Sequence, residues 1–297
     1  MQVAILGCGY VGLELSRQLV AAGHAVTGVR RSDAGLDAIE ATGGAAIQAD
    51  VTDADALDAV PDVDAVVFAA SSGGRDGAAA REVYVDGLST AVDHFGGRRA
   101  PPDRFIYTSS TGVYGDHDGD WVDETTPIEP TTEKTSVLAE AERIAIEDVH
   151  AAGMAGTVAR FAGLYGPDRY RLSRYIEGPV TEGYLNMIHR DDAAGALAHF
   201  LTEDVAQGET VNVVDDEPAA KWAFADWLAD ECGVDRPSKR TIAERLAEDD
   251  LSTPARRRLQ TSKRVSNDRL HERGYELRFP TYRSGYRAAI ESFLSGE

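Results

Sequence analysis

The stretch that decides the reading is AILGCGYVGLELSRQLVAAGHAVTGVRRS, residues 4–32. An apolar run of strand type leads straight into three glycines, Gly7, Gly9 and Gly12, and then into an amphipathic stretch rich in Leu and Ala. A second apolar run, AVTGV, follows and closes on Arg30 and Arg31. Glycines at this spacing between a strand and a helix each do something different. Gly7 permits a tight turn, Gly9 lets backbone approach a pyrophosphate, and Gly12 lets the helix pack on the strand, whose amino terminus then attracts the phosphates. Tyr10 and Val11 fall inside the same turn. The glycine spacing alone is common; the order strand, turn, helix, strand makes it a dinucleotide reading.

The end of the second strand speaks to which dinucleotide. A free ribose 2′-hydroxyl calls for a carboxylate acceptor there. Arg30 and Arg31 stand there instead, and guanidinium pairs with a phosphate, so the stretch points to NADP, with NAD the alternative if both arginines are simply solvated.

The rest of the chain continues the alternation. VAIL, AVTGV, AAIQA, AVVFAA, RFIYTSS, GTVARF and, later, TVNVV at 210–214 read as strands, with helical patterns in LELSRQLVAAG, DADALDAV, VYVDGLSTAVDHF and SVLAEAERIAIEDVHAAG. This predicts an α/β fold, a Rossmann-type doubly wound parallel sheet with a smaller carboxyl-terminal substrate lobe. The expected division is residues 1–163 for the NAD(P)-binding domain and 164–297 for the lobe, with part of 184–216 returning to the sheet. Further helical patterns fall near 220–232, 240–248 and 284–295. SSGGRDG at 71–77 and GDHDGD at 115–120 follow strands, which predicts that both lie at the ligand-binding carboxyl edge.

A chain of 297 residues that is 43% hydrophobic can bury a full core. No membrane-length apolar run and no secretory signal pattern is present, which predicts a cytoplasmic protein without a membrane partner. Two cysteines, Cys8 and Cys232, are too few for a disulfide framework, and neither has metal-ligand spacing. No metal is expected. A net charge of −20 argues against nucleic acid, and only four lysines (Lys134, Lys221, Lys239, Lys263) stand among the 30 basic residues. Such an acidic, lysine-poor surface suits solubility in high salt, a halophilic trait.

Several separated motifs carry a resemblance to the extended short-chain dehydrogenase/reductase superfamily of the NAD-dependent epimerase/dehydratase type: Asp50-Val51-Thr52-Asp53, Ala69-Ala70-Ser71, Tyr84-Val85-Asp86-Gly87, TSSTGVYG at 108–115, ARFAGLYGP at 159–167, NMIHRDD at 186–192 and VNVVDDEP at 211–218. The resemblance implies that Asp50 and Val51 contact adenine, and that Ala69, Ala70, Ser71, Thr108 and Ser109 lie along the cofactor. The glycine motif departs from the GxxGxxG usual in extended members. So does the catalytic couple, a Tyr and a Lys four residues apart. Anchored on Pro130 and Glu142, the couple should stand at 134 and 138, where this chain has Lys134 and Leu138. The chain therefore resembles the atypical members, and of the usual triad only Ser110 remains.

Ser110 and Tyr114 are the catalytic candidates, Tyr114 as a phenol offered to substrate or as an aromatic packing on the lobe. Arg160 and Tyr165 are expected to shape the substrate pocket, with a buried ion pair the alternative for Arg160. Asn186 and His189 are expected at the substrate too, although NMIHRDD also fits a hinge between lobes. Lys134 reads as a displaced catalytic lysine or a solvated one, and Cys8 as a reactive thiol at a helix amino terminus or a small filler. RRRL at 256–259 reads as a grip on an acidic ligand or as a solvated face. The GYVG string also occurs in UDP-glucose-type dehydrogenases, but Cys232 lacks their surrounding motif. Two functions follow: an NADP-linked reductase or epimerase acting on a sugar nucleotide or another small hydroxyl or carbonyl compound, or a non-catalytic NADP(H)-dependent redox sensor. Helices at 79–96 and 135–151 would serve a homodimer.

Overall fold

Seven short apolar runs become one sheet. They are β1 (Gln2–Leu6), β2 (Ala25–Arg30), β3 (Ala45–Gln48), β4 (Ala65–Phe68), β5 (Arg104–Ser110), β6 (Ala155–Phe161) and β7 (Glu209–Val213). Their spatial order is β7-β6-β5-β4-β1-β2-β3, and every neighbouring pair is parallel. This computed structural model describes residues 1–73, 77–248 and 250–296, without the side chains of Pro254 and Arg258. Residues 74–76 of the SSGGRDG stretch lie outside the described residues.

A parallel sheet is covered on both faces, so its central strands are apolar without alternation. Val3, Ala4, Ile5 and Leu6 of β1 and all of β4 are buried. Val3 and Ile5 join one core layer, with Leu15, Leu19, Leu197 and Phe200. Ala4 and Leu6 join the opposite layer, with Leu88, Val92, Phe95, Val137 and Ala141. Helices α1 (Tyr10–Ala21) and α5 (Arg190–Thr202) cover the first face. α3, which runs from Gly77–Arg81 through a π-helical turn at Glu82–Gly87 into Leu88–Gly96, covers the second with α4 (Glu133–Arg143). Each buried Leu, Ile or Val contributes roughly 1.5–3 kcal/mol, which makes β1 and β4 a firm platform. The strand order reverses between these two, and that crevice is where doubly wound sheets bind ligands.

α2 (Asp33–Glu40) is absent from the periodicity reading, because only Gly35 and Ile39 are buried on it. After β6 the chain builds an aromatic cluster. Phe224 on α6 (Lys221–Cys232) has ring centroids of Tyr175 and Tyr282 at 4.9 Å and of Tyr286 at 5.1 Å, and α7 (Arg287–Ser295) adds Ile290. The GDHDGD stretch departs from its expected place: His117 and Gly119 both donate backbone N–H to the Ser262 carbonyl, so it clasps the second lobe rather than bordering the cleft described below.

Four sheet and helix elements are cross-tied by one buried polar network. Arg160 on β6 donates Nε and Nη2 to the Glu142 carboxylate of α4 at 2.7–3.2 Å, and Nη1 to the Tyr114 hydroxyl at 2.8 Å. Tyr114 in turn donates to Asn212 Oδ1 at 2.9 Å, and Ser109 donates to Glu142 at 2.6 Å. Two expectations are corrected here. Tyr114 is 0% exposed, so its phenol cannot be offered to a substrate, and Arg160 spends its guanidinium on Glu142 rather than on a pocket. Losing one partner strands a buried charge, so Arg160→Leu is expected to cost about 3–5 kcal/mol in urea unfolding. Pairing it with Glu142→Leu should recover part of that loss; equal stability of Arg160→Leu and the parent chain would contradict the network.

Candidate cofactor and substrate cleft

The site begins at the turn leaving β1. Gly7 has φ +79°, and a Cβ there would fall inside the van der Waals envelope of the Ala70 backbone. Two requirements, backbone conformation and close approach to the end of β4, thus converge on one residue. A Cβ at Gly12 would lie 3.1 Å from Ile5 Cγ2, and one at Gly9 would lie 2.9 Å from Arg30 Nη1, which itself donates to the Cys8 carbonyl at 3.2 Å. Gly9 is the cap residue of α1; among the described residues no side chain accepts from that helix end, and its first turn holds no acid. Uncapped N–H groups, the positive end of the helix dipole and an adjacent guanidinium are what a dinucleotide diphosphate requires. The residues present therefore fit the cofactor.

From this turn a cleft of about 1240 Å³ runs across the carboxyl ends of the strands. The structure brings to it Gly7, Gly9, Tyr10, Val11, Gly12, Arg30, Arg31, Asp50, Val51, Ala69, Ala70, Ser71, Thr108, Ser109 and Ser110. The loop after β3 is held in shape locally. Asp50 accepts from Thr52 N and Oγ1 and pairs with Arg31 at 3.3 Å. Burial pushes that carboxyl up, but these hydrogen bonds outweigh it and hold it below the usual range. Tyr10 ties α1 to the second lobe, donating to the Pro167 carbonyl at 2.8 Å with the Arg169 guanidinium 4.0 Å from its ring centroid. Ser109 borders the cleft, yet its hydroxyl is given to Glu142. Ser110 Oγ accepts from Gly112 N at 3.1 Å, which opens the short turn after β5.

The substrate residues expected from the later motifs lie elsewhere. Tyr165 is buried, its ring stacked on Tyr286 at 5.0 Å and edge-on to His189 at 5.3 Å. Asn186 fastens the 263–265 segment, donating to the Lys263 carbonyl and accepting from Val265 N. His189 is buried and accepts from Asp191 N through Nδ1 at the start of α5. Burial above all pushes its imidazole down to about 4; Asp191 opposes this, and Arg190 and Arg278 add smaller lowering effects. In this structure Tyr165 and His189 are packed against neighbouring aromatic rings, and Asn186 ties the 263–265 segment to the strand that carries it. Burial raises the Cys8 thiol to about 12, which keeps it a protonated filler, and Cys232 is buried in the aromatic cluster.

The far wall was legible only in part. Lys134, Leu138, Arg257 and Tyr84 stand in stretches the sequence singled out, whereas Thr131, Thr132, Glu133 and Thr135 at the start of α4, with Arg169, Tyr184, Leu185 and Lys221, were missed, and all of them border the cleft. Arg257 donates to the Thr131 carbonyl at 3.0 Å, whereas Arg256 is turned onto the Leu246 and Glu248 carbonyls. One signal was available. In a chain that uses arginine almost everywhere, two of the four lysines, Lys134 and Lys221, stand at this cleft. Among the described residues no cluster of three His, Cys, Asp or Glu is placed to hold a metal, and no helix is long and apolar enough to cross a membrane.

A family model described as NAD(P)H-binding matches residues 7–204, the span that holds the glycine turn, strands β2 to β6 and most of the cleft. The chain belongs to this family. Its resemblance to the NAD-dependent epimerase/dehydratase proteins extends over the whole length. Protein YeeZ of Escherichia coli K12 is 34% identical over 251 residues, which cover 80% of this chain and 86% of YeeZ. The structure of a candidate NAD-dependent epimerase/dehydratase from Methylobacillus flagellatus is 32% identical, with a TM-score of 0.76 over 98% of each chain. UDP-glucose 4-epimerase of Thermus thermophilus, solved with NAD, shares the fold at 18% identity, with a TM-score of 0.78 over 99% of each chain. In this NAD(P)H-binding chain the buried His189 leaves a trace in stability. The native imidazole stays neutral down to about pH 4, while the unfolded one takes up its proton near 6.5, so stability should fall as pH drops through that window, by up to about 3 kcal/mol. His189→Asn keeps an acceptor for the helix cap and removes the titration. Its unfolding free energy is expected to vary less between pH 6.5 and 4 than that of the parent chain.

Proposed function

We propose that this protein is an NADP(H)-linked reductase or epimerase that acts by hydride transfer on a small hydroxyl or carbonyl substrate, with sugar nucleotides the leading class. The observation that carries the reading is the continuity of the cleft, which runs from the glycine turn past Ser110 to Lys221 and Arg257 in the second lobe. Its volume of about 1240 Å³ exceeds the ~300–1000 Å³ of a pocket for one small ligand. A protein that only sensed its cofactor would need no cleft reaching beyond the cofactor seat to Lys221 and Arg257, so this extension favours turnover over the sensor reading.

The roles follow from position. The turn at Gly7 and Gly9 and the amino terminus of α1 would hold the diphosphate, with Val51 and Ala69 along the adenosine half. When bound, the nicotinamide supplies or accepts the hydride. Ser110 would orient the substrate oxygen, and a serine hydroxyl cannot itself trade a proton near neutrality. Lys221 and Arg257 offer positive charge to an anionic part of the substrate. Arg30, already lying against the turn, would take the 2′-phosphate. Arg31 makes an exposed pair with Asp50, of a kind worth about 0–1 kcal/mol, and is easily recruited to help. A cytoplasmic setting and a homodimer through α3 and α4, which lie side by side and are bridged by Arg81 and Glu140 at 2.6 Å, complete the proposal.

Calorimetric titration of NADPH and NADH at high salt tests the cofactor assignment. NADPH is expected to bind tighter, and Arg30→Ala should weaken it by about tenfold or more, which corresponds to about 1.4 kcal/mol, while changing NADH by less than about threefold. Tighter binding of NADH by the parent chain would overturn the NADP assignment. A substrate screen that follows nicotinamide absorbance, with Ser110→Ala as control, separates enzyme from sensor: tight cofactor binding without turnover on any hydroxyl or carbonyl compound would favour the sensor.

A further inference from the structure

The cleft has a cofactor seat and an orienting serine, but the residues at the usual couple positions, Lys134 and Leu138, include no phenol. We propose that Tyr84 and Lys134 form the proton-handling pair of this cleft, with the Tyr84 hydroxyl exchanging a proton with the substrate oxygen and the Lys134 ammonium positioning it. The inference rests on the hydride-transfer reading above and names the acid–base group that reading leaves open.

Tyr84 reaches the cleft from α3, on the π-helical turn Glu82–Gly87. Such widened turns inside helices recur at functional sites. Its hydroxyl lies 3.4 Å from Ser71 Oγ. Ser71 directly follows Ala70, the residue against which Gly7 of the phosphate turn is packed. A short run of contacts therefore links the cofactor seat to the phenol. From the other side α4 brings Lys134, whose Nζ is 5.5 Å from the centroid of the Tyr84 ring. The next residue, Thr135, and Ser110 both flank Gly112: a Cβ added there would lie 3.5 Å from Thr135 Cγ2 and 3.3 Å from Ser110 Oγ. The start of α4 is thus wedged between the phenol and the orienting serine. Arg81 and Glu140 hold the two helices in this relation.

The groups that face the Tyr84 hydroxyl favour its ionised form. They are the Ser71 hydroxyl and the Ser72 backbone after β4 and the Lys134 ammonium of α4, while the phenol of Tyr107 on β5 stands behind it. Burial works against the phenolate, but the Ser71 hydrogen bond, the Lys134 charge and the Ser72 contacts outweigh it, so the phenol is held below its ordinary value. Tyr10, which also borders the cleft, and the buried Tyr114 and Tyr165 are pushed upward by burial instead. The step balances with an oxidised nicotinamide nucleotide as hydride acceptor. The alcohol proton of the substrate passes to the Tyr84 phenolate, the carbinol C–H electron pair leaves as hydride, and the C=O bond forms. Reduction runs the same transfers backwards.

The test uses the full chain labelled with 3-fluorotyrosine and followed by ¹⁹F NMR without cofactor. The resonance missing from Tyr84→Phe identifies Tyr84. It is expected to titrate at lower pH than the buried tyrosine resonances, and Lys134→Gln should raise its midpoint by about half a pH unit, a threefold change in proton affinity, with Lys134→Arg restoring it. A Tyr84 resonance that titrates with the others, or ignores Lys134→Gln, overturns the pair. On a substrate found by the screen, Tyr84→Phe should lower kcat by about 100-fold or more, with NADPH affinity within about threefold of the parent; full turnover by Tyr84→Phe overturns the pair as well. Failure of the parent chain to bind either NADPH or NADH would sink the hydride-transfer reading, whereas the fluorine titration is read on the apo protein and judges the pair separately.

Discussion

The structure depends on how closely the backbone leaving β1 approaches the end of β4. At Gly7 the chain turns with a positive φ and lies so near Ala70 that a single methyl group would not fit between them. That contact fixes the exit direction of β1, the position of the uncapped amino terminus of α1 and the height of the Ala70-Ser71 segment over the sheet. The proposed diphosphate seat and the rest of the cleft are built outward from the two sides of this one approach. Its rigidity comes from below, where β1 and β4 are buried on both faces and each apolar side chain adds to the cost of moving them.

Polar groups in the molecule divide into those that hold the fold and those left available. Arg160, Glu142, Tyr114, Ser109 and Asn212 satisfy one another across α4, β5, β6 and β7. His189, Asn186 and Asp192 do the same where the second lobe meets the sheet; the Asp192 carboxylate, for example, accepts from Arg278 N, Phe279 N and the Tyr275 hydroxyl. A buried polar group must be paired, and these are paired with protein. Arg160 and Tyr165 of RFAGLYGP and His189 of NMIHRDD are thus held by protein, while Phe161, Ala162 and Leu164 of the first motif border the cleft. The rest of the cleft rim includes the turn after β1, the end of β5 and the first turn of α4.

The charge composition has a similar division. Many arginines sit in exposed pairs with the abundant acids, as Arg236 does with Asp226 and Asp230, Arg273 with Glu209, and Arg143 with Glu147 and Asp148. Pairs of this kind are individually weak and are screened by salt. Three cations that border the cleft, Arg30, Lys221 and Arg257, donate to backbone carbonyls rather than carboxylates in their assigned contacts, which leaves their charge to act on a bound anion.

The linear sequence determined what depends on neighbours along the chain. The alternation of apolar runs and helical stretches specified the parallel sheet, and the glycines at 7, 9 and 12 specified the turn, because a tight strand-to-helix exit constrains φ and side-chain size at those positions. Even the absence of the usual couple was legible, since Lys134 and Leu138 could be counted from Pro130 and Glu142. Tertiary structure decided which way side chains separated by fifty or a hundred residues face. Nothing in TSSTGVYG says that Tyr114 turns inward to Arg160 and Asn212, and no periodicity links Tyr84 on α3 to Lys134 on α4. Local patterns encode backbone conformation and which face is apolar. The meeting of two side chains depends on how whole helices are seated on the sheet, and that is set by packing over the entire core.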